Sequence, residues 1–204
     1  MTGSRELDLT EKLVRKSIAE PRLLFVESVR CPSCNTQSMK METFLYNVPH
    51  FGNIILDKGE CARCGFKYRD VKVAEASEPK KLIVRVRGER ELRYLVVKPS
   101  TTLIYIPERG YESIPGLYSP GYITTIEGIL GSFLEALNII CGESEDRGCK
   151  KHLQWLTRAL KGEEQFTLVM CDYDGTGKIL GENVEVENLD KECKTKIEVL
   201  HPLS

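Results

Sequence analysis

The chain has little of what marks most functional classes. Its 204 residues carry 29 basic and 30 acidic side chains, a formal net charge of −1. That balance gives no global attraction to nucleic acid or to an anionic membrane. No apolar run approaches the roughly 20 residues that a membrane span needs. The first 17 residues mix acids and bases and lack the apolar stretch of a secretory signal, so a cytoplasmic location is expected. There is no phosphate-loop pattern, no Gly-x-Ser-x-Gly and no His-Glu-x-x-His. The three histidines, His50, His152 and His201, are far apart, with no His-x-His pair to suggest a barrel metal site. No internal repeat or low-complexity tract is present. Nothing in this reading assembles a catalytic constellation, and the chain is read as non-enzymatic.

Eight cysteines stand out against that background. Four form two tight pairs, Cys31-Pro-Ser-Cys34 and Cys61-Ala-Arg-Cys64, separated by 26 residues. Two such knuckles can offer four thiolates to one tetrahedral ion. A two-residue gap lets both sulfurs of a turn converge, and Gly65, just after the second pair, can take the positive φ such a turn requires. Redox dithiols or disulfides are the competing reading, but the βαβ setting of a redox Cys-x-x-Cys is absent. Four cysteines complete the coordination sphere and leave no place for a catalytic water. The expectation is therefore one structural Zn²⁺ held by Cys31, Cys34, Cys61 and Cys64. The scattered Cys141, Cys149, Cys171 and Cys193 read as buried thiols in a reducing compartment. Cys141 and Cys149 flank a short connection and are close enough in sequence to form a disulfide.

Three segments follow from composition and period: an N-terminal helix within 1–22, the zinc module at 23–76 and a β-rich domain at 77–204. The zinc module contains strand-like stretches at 39–48 and 53–56, hence a hairpin of its own. Pro49, His50 and Phe51 lie at its tip as candidate partner contacts. The polar stretch 75–79 reads as a linker. Beyond it the period becomes two, and Gly88-Glu-Arg-Glu91 between apolar alternations predicts a β-hairpin spanning 80–98. That hairpin would carry a basic stripe of Lys80, Lys81, Arg85, Arg87, Arg90, Arg93 and Lys98. Residues 102–106 predict a strand ended by Pro107. Apolar residues from Ile123 to Ile140 recur at three- and four-residue steps, with Thr124 and Glu127 at capping-box spacing. A second helix is expected over 146–161, closing a helical hairpin at about 123–161. Strands resume at 166–170, 179–180, 184–186 and 197–200. Asp172-Tyr-Asp-Gly-Thr-Gly177 reads as a hairpin turn, since the ligand alternation of a calcium loop does not continue. The fold class is mainly β (α+β): a sandwich or barrel with a helical insertion.

Several motifs carry a resemblance. Cys31-Pro-x-Cys34, Val48-Pro-His-Phe-Gly-Asn-Ile-Ile-Leu56 and Cys61-x-x-Cys64-Gly65 resemble the zinc finger of the ZPR zinc-finger protein family. Leu92-Arg93 with Val96-Val97-Lys98, Ile106-Pro107-Glu108, Ile114-Pro115, Gly121-Tyr-Ile-Thr124-Thr125-x-Glu127-Gly128 and Phe166-Thr-Leu168 with Asp172 and Gly175 resemble its second domain, in order. The single copy is similar to archaeal members. The resemblance implies a four-cysteine zinc finger followed by a double-stranded β-helix, or jelly-roll-like, domain with an inserted helical hairpin. It also implies a protein partner, a translation elongation factor of the 1-alpha type, whose folding the family is thought to assist. Further candidate partner contacts are Arg85, Arg87 and Arg93 of the basic stripe and Thr124, Thr125 and Glu127 of the shared motif. The alternative is a nucleic-acid or ribosome-binding adaptor using the zinc finger and the basic hairpin 80–98. One motif departs from the family: its Asp-Pro-x-Gly-Asn turn is Asp172-Tyr-Asp-Gly175-Thr176 here.

Overall fold

The computed structural model describes residues 20–116, 119–142 and 146–198. Nearly all of the helix expected within 1–22 lies outside the described residues. The chain divides into two compact units, with the boundary after Tyr68.

The first unit is built on antiparallel strands β1 (Arg22–Val29), β2 (Met39–Val48) and β3 (Gly52–Cys61), joined by β4 (Lys67–Val73), which contains the boundary. The sheet order is β1-β2-β3-β4. β2 and β3 pair without interruption from Met39↔Cys61 to Val48↔Gly52. That register places the second cysteine pair opposite the start of β2. His50 takes φ 69° and Gly52 φ 78° in the connecting turn. Pro49 and His50 are exposed there, as a tip position suggests, but Phe51 is 5 % exposed. Its amide donates back to the Val48 carbonyl at 3.1 Å, which folds the residue inward. Phe51 is therefore not the surface aromatic that its position at the tip suggested.

The second unit continues with β5 (Lys80–Val86), β6 (Leu95–Lys98), β7 (Leu103–Ile106), β8 (Tyr111–Ser113), β9 (Tyr122–Thr125), β10 (Phe166–Asp172), β11 (Lys178–Leu180) and β12 (Val184–Asn188). They form two sheets, one of order β12-β5-β10-β7-β8 and the other of order β11-β6-β9. Side chains alternate faces along a strand, and here both faces of the larger sheet are apolar. Leu82, Val84 and Val86 of β5, Ile104 and Ile106 of β7, and Phe166, Leu168 and Met170 of β10 enter the main core. Val96, Ile126, Ile129, Leu130, Trp155 and Leu156 meet them there. The alternate residues Leu103, Tyr105, Val169 and Cys171 form a second cluster with Cys193.

The hairpin predicted over 80–98 does not form. β5 pairs with β10 and β12, whereas β6 pairs with β9 and β11, so the two strands belong to different sheets. Between them lies a short helix, α1 (Glu89–Leu92). The Glu91 carboxylate accepts from the backbone amides of Arg87 and Gly88 at 3.0 and 3.1 Å, which closes a helical turn instead of a strand reversal. Buried Leu92 then anchors that turn in the core.

The helical hairpin consists of α2 (Ile126–Cys141) and α3 (Arg147–Ala159). The cap of α2 is Thr125, one residue later than the spacing indicated; its Oγ1 accepts from the Gly128 amide at 3.1 Å. Ile123 and Thr124 belong to β9, paired with Val97 and Val96. Along α2 the buried stripe ends early: Ile139 and Ile140 are 83 % and 77 % exposed, so Ile140 is not on the core face. Asp146 caps α3 through the Cys149 amide. Cys141 and Cys149 are disulfide-bonded across the connection.

After β12 the chain forms a helix, α4 (Lys191–Glu198), where a strand was expected from 197. Asp190 Oδ1 accepts from the Cys193 amide at 2.9 Å, capping this helix. Cys193 is bonded to Cys171 on β10, so these cysteines are not the free thiols expected. Tyr173 Oη donates to the Cys193 carbonyl at 2.6 Å and Tyr105 Oη to Glu192 at 3.2 Å. α4 thus covers the second apolar face of the five-stranded sheet. The Asp172 turn is tight, with both Asp172 oxygens taken by the amides of Thr176 and Gly177, but it is not the hairpin turn expected: β10 and β11 belong to different sheets, so the turn carries the chain from one sheet to the other. Its tip reaches the stretch expected as a linker: Ser77 donates its amide and its hydroxyl to the Gly175 carbonyl, at 2.9 and 3.1 Å.

Candidate metal centre

Each cysteine pair is shaped by the same backbone device. The Asn35 amide donates to the Cys31 carbonyl at 2.9 Å, and the Gly65 amide to the Cys61 carbonyl at 3.0 Å. Both residues following the pairs hold positive φ, 57° at Asn35 and 73° at Gly65. The Cys31 amide then bonds the Thr36 carbonyl and the Cys61 amide the Phe66 carbonyl. The Ala62 amide bonds the Ser38 carbonyl at 2.9 Å, tying one knuckle to the other. Cys31, Met39 and Cys61 are buried together, with Val29, Met41, Phe66 and Tyr68 around them.

The four sulfurs lie within 4.8 Å of one another. Cys31 Sγ is 3.7 Å from Cys64 Sγ, and Cys34 Sγ is 3.7 Å from Cys61 Sγ. A tetrahedron with metal–sulfur bonds of about 2.3 Å has edges of about 3.8 Å. The donor set is soft, fourfold and closed, which fits one structural Zn²⁺ held by Cys31, Cys34, Cys61 and Cys64. Such an ion supplies cross-linking rather than reactivity.

Two hydroxyls prepare the thiolates. Thr36 Oγ1 is 3.0 Å from Cys34 Sγ and Ser38 Oγ is 3.1 Å from Cys61 Sγ. The Thr36 contact lowers the Cys34 thiol from its ordinary value. Ser38, followed by the Cys64 backbone amide, brings Cys61 down to about 6. At Cys64 the Phe66 amide favours the thiolate, but desolvation and the three other sulfurs outweigh it and raise the group to about 11. Without a cation the four sulfurs cannot all ionise, and the ion resolves that repulsion. Asn35, Thr36 and Ser38 were not singled out from the sequence. Their signal was there: a residue tolerant of positive φ and two hydroxyls directly after Cys34.

The other residues singled out fall on several elements. Arg85 of β5 and Arg87 just beyond its end line a cleft of about 350 Å³ with Glu182, Asn183, Val184 and Glu185. Arg93 and Glu127 share a small cavity of about 100 Å³ with Glu89, Leu92, Leu160 and Lys161. Thr124 Oγ1 lies where a Cβ on Gly128 would meet it at 2.1 Å, so Gly128 permits the approach of strand and helix. The basic stripe is matched by acids. Lys81 faces Asp190 and Glu187, Arg85 faces Glu185 at 3.4 Å, Arg90 faces Glu182 and Arg93 faces Glu89 at 3.2 Å. Lys98 is 3 % exposed and not part of any surface stripe.

Site and fold together define a class: a four-cysteine zinc finger followed by a jelly-roll domain with a helical hairpin. Residues 26–79 match the family model of the ZPR1 zinc-finger domain, and residues 90–198 that of the ZPR1 jelly-roll domain. The chain belongs to the ZPR1 family. It is 32 % identical over 177 residues to a ZPR1-like protein of Methanocaldococcus jannaschii, covering 84 % of this chain and 89 % of that one. A ZPR1-like protein of Pyrococcus horikoshii is 28 % identical over 170 residues, 79 % of this chain and 76 % of the relative. The zinc finger chaperone zpr1 of Schizosaccharomyces pombe is 30 % identical over 163 residues, which are 75 % of this chain but 35 % of the yeast protein.

Proposed function

We propose that the chain is a non-catalytic binding protein that engages a translation elongation factor of the 1-alpha type in the cytoplasm and assists its folding. The observation that carries the reading is the ZPR1 match through both the zinc finger and the jelly-roll domain. The name of the fission-yeast relative, zinc finger chaperone, supports it. The architecture agrees with a binding role. The metal is enclosed by four thiolates, and the clefts beside Arg85, Arg87, Arg93 and Glu127 are surfaces for contact with a macromolecule. Pro49, His50, Thr124 and Thr125 are further candidate contacts. The acid-matched stripe along β5 and α1 does not favour nucleic acid, which would need an excess of cations.

The test is a pull-down of the elongation factor in its GDP, GTP and nucleotide-free states, with refolding of the denatured factor in parallel. Saturable binding in one state and a raised refolding yield are expected. Binding in none of the states would overturn the partner assignment, and binding without a change in yield would overturn the folding role.

A further inference from the structure

On α3, Lys151, Gln154, Trp155 and Arg158 share one stripe, at steps of three and four residues. This stripe faces the turn after β7, where the amides of Arg109 and Gly110 both bond the Ile106 carbonyl. A cleft of about 580 Å³ lies there, lined by the stripe, Leu153, Arg109 and Glu164. Its size falls in the range of ligand-binding clefts.

The floor is apolar and rigid. Trp155 is 5 % exposed, and its ring lies 5.6 Å from both Tyr111 and Phe166. The Arg109 guanidinium sits 4.5 Å over that ring, which holds it in place without neutralising it. Trp155 Nε1 is buried with no hydrogen-bond partner among the described residues. The rim carries three cations, Arg109, Lys151 and Arg158, and one carboxylate. That carboxylate, Glu164, lies 3.8 Å from Arg109 and 3.2 Å from Arg158, so it bridges both guanidinium groups.

We propose that this cleft binds an acidic peptide segment flanked by aliphatic residues. A carboxylate of the peptide takes the two arginines that Glu164 now bridges, and Lys151 receives a second acid. An aliphatic side chain packs on half-buried Leu153, beside the edge of Trp155 that lines the cleft. A pair of guanidinium groups suits a carboxylate fork. The apolar floor adds affinity for a side chain beside the acid, which a bare phosphate cannot use. The site is confined to one cleft, unlike the extended basic track that follows a nucleic-acid backbone. The inference goes beyond the elongation-factor reading and does not depend on it, because it concerns a short linear segment of any protein.

Trp155 is the only tryptophan of the chain, so its emission reports the cleft directly. The full chain is titrated with the blocked peptide acetyl-Leu-Glu-Leu-Asp-Leu-amide, with its Gln/Asn isostere and with inorganic phosphate, followed by fluorescence and calorimetry. The acidic peptide is expected to saturate, with affinity at least about tenfold above the isostere and falling as salt rises. Lys151→Glu and Arg158→Gln, both at exposed positions, are expected to weaken binding about fivefold or more without moving the thermal midpoint. Glu164→Gln removes the competitor shared by both arginines, leaving Glu163, which lies 3.6 Å from Arg158, and should tighten binding about threefold. Equal binding of the isostere overturns the proposal, as does no saturable signal by either method. Weaker binding by Glu164→Gln overturns the competition it rests on, and binding of phosphate without the peptide overturns the peptide assignment.

Discussion

Asn35 and Gly65 occupy equivalent places in the two halves of the metal site. Each follows its Cys-x-x-Cys pair, holds positive φ and donates its amide to the carbonyl of the first cysteine. A Cβ built on Gly65 meets nothing within 4 Å, so the position demands a conformation and not a space. Gly65→Asn should therefore be tolerated, while Gly65→Val should destabilise the site by about 1–2 kcal/mol or more. Competition with a chelator and thermal unfolding of the zinc-loaded chain would show the difference; equal behaviour of the two variants would refute the account.

Zinc analysis should give one equivalent per chain, lost in Cys61→Ser together with the structure of the first unit. Ser38→Ala keeps all four ligands but removes the hydroxyl beside Cys61. It is expected to lower zinc affinity about tenfold, measured by chelator competition. An unchanged affinity would show that Ser38 is a bystander.

Four of the eight cysteines are paired in the two disulfides, 141–149 and 171–193. Thiol titration of the unreduced chain, denatured with chelator, should find the other four. Eight free thiols would exclude both bridges. The chain-entropy model gives the bridge closing 22 residues about 3 kcal/mol, so a Cys171→Ser, Cys193→Ser double variant should lose stability on that scale.

A Cβ on Gly121 would lie 1.9 Å from Asp70 Oδ1 and 2.5 Å from the Val71 amide nitrogen. Asp70 is itself fixed, accepting from the Ser100 amide at 2.7 Å and the Ser100 hydroxyl at 2.8 Å. Nothing there can yield cheaply. Gly121→Ala should destabilise by about 2–3 kcal/mol, and a denaturation midpoint equal to that of the parent would contradict the packing described.

Burial is the main influence on Lys98, bringing it down to about 8 against a modest opposing pull from Asp70. An unfolded lysine titrates near 10.4. Between these values the unfolded chain binds more protons than the folded one, so this group makes stability rise with pH. Lys98→Met should be more stable than the parent at pH 7 and should flatten the rise between about pH 8 and 9.5. Denaturant melts across that window, below the ionisation of unfolded tyrosines, test the sign.

The zinc ligands were legible because a Cys-x-x-Cys pair encodes its own geometry within four residues. The period-two runs and the helical spacing of Ile126, Ile129 and Leu130 were legible for the same local reason. The partner of β5 was not, because strand pairing is decided by distant residues; Glu91, acting on two nearby amides, turned an apparent hairpin into a crossing between sheets. Nor could spacing show that Cys171 would meet Cys193, since one lies on a strand and the other on a helix of the outer face. Phe51 was misplaced because a tip position says nothing about which way the side chain turns. The cleft at Trp155 was invisible as well: Arg109 and Arg158 come from separate elements and meet only in the fold.

The bond between Cys171 and Cys193 has a mechanical meaning. It joins the last described helix to β10, an inner strand of the sheet, and encloses the turn, β11 and β12 in a covalent loop. Tension applied beyond α4 would pass to β10 through that bond and bypass β12 at the sheet's edge. With the bridge intact, the edge strand cannot be peeled away first. Under reducing conditions it can, and extension of the chain under force would then gain an early step of some twenty residues.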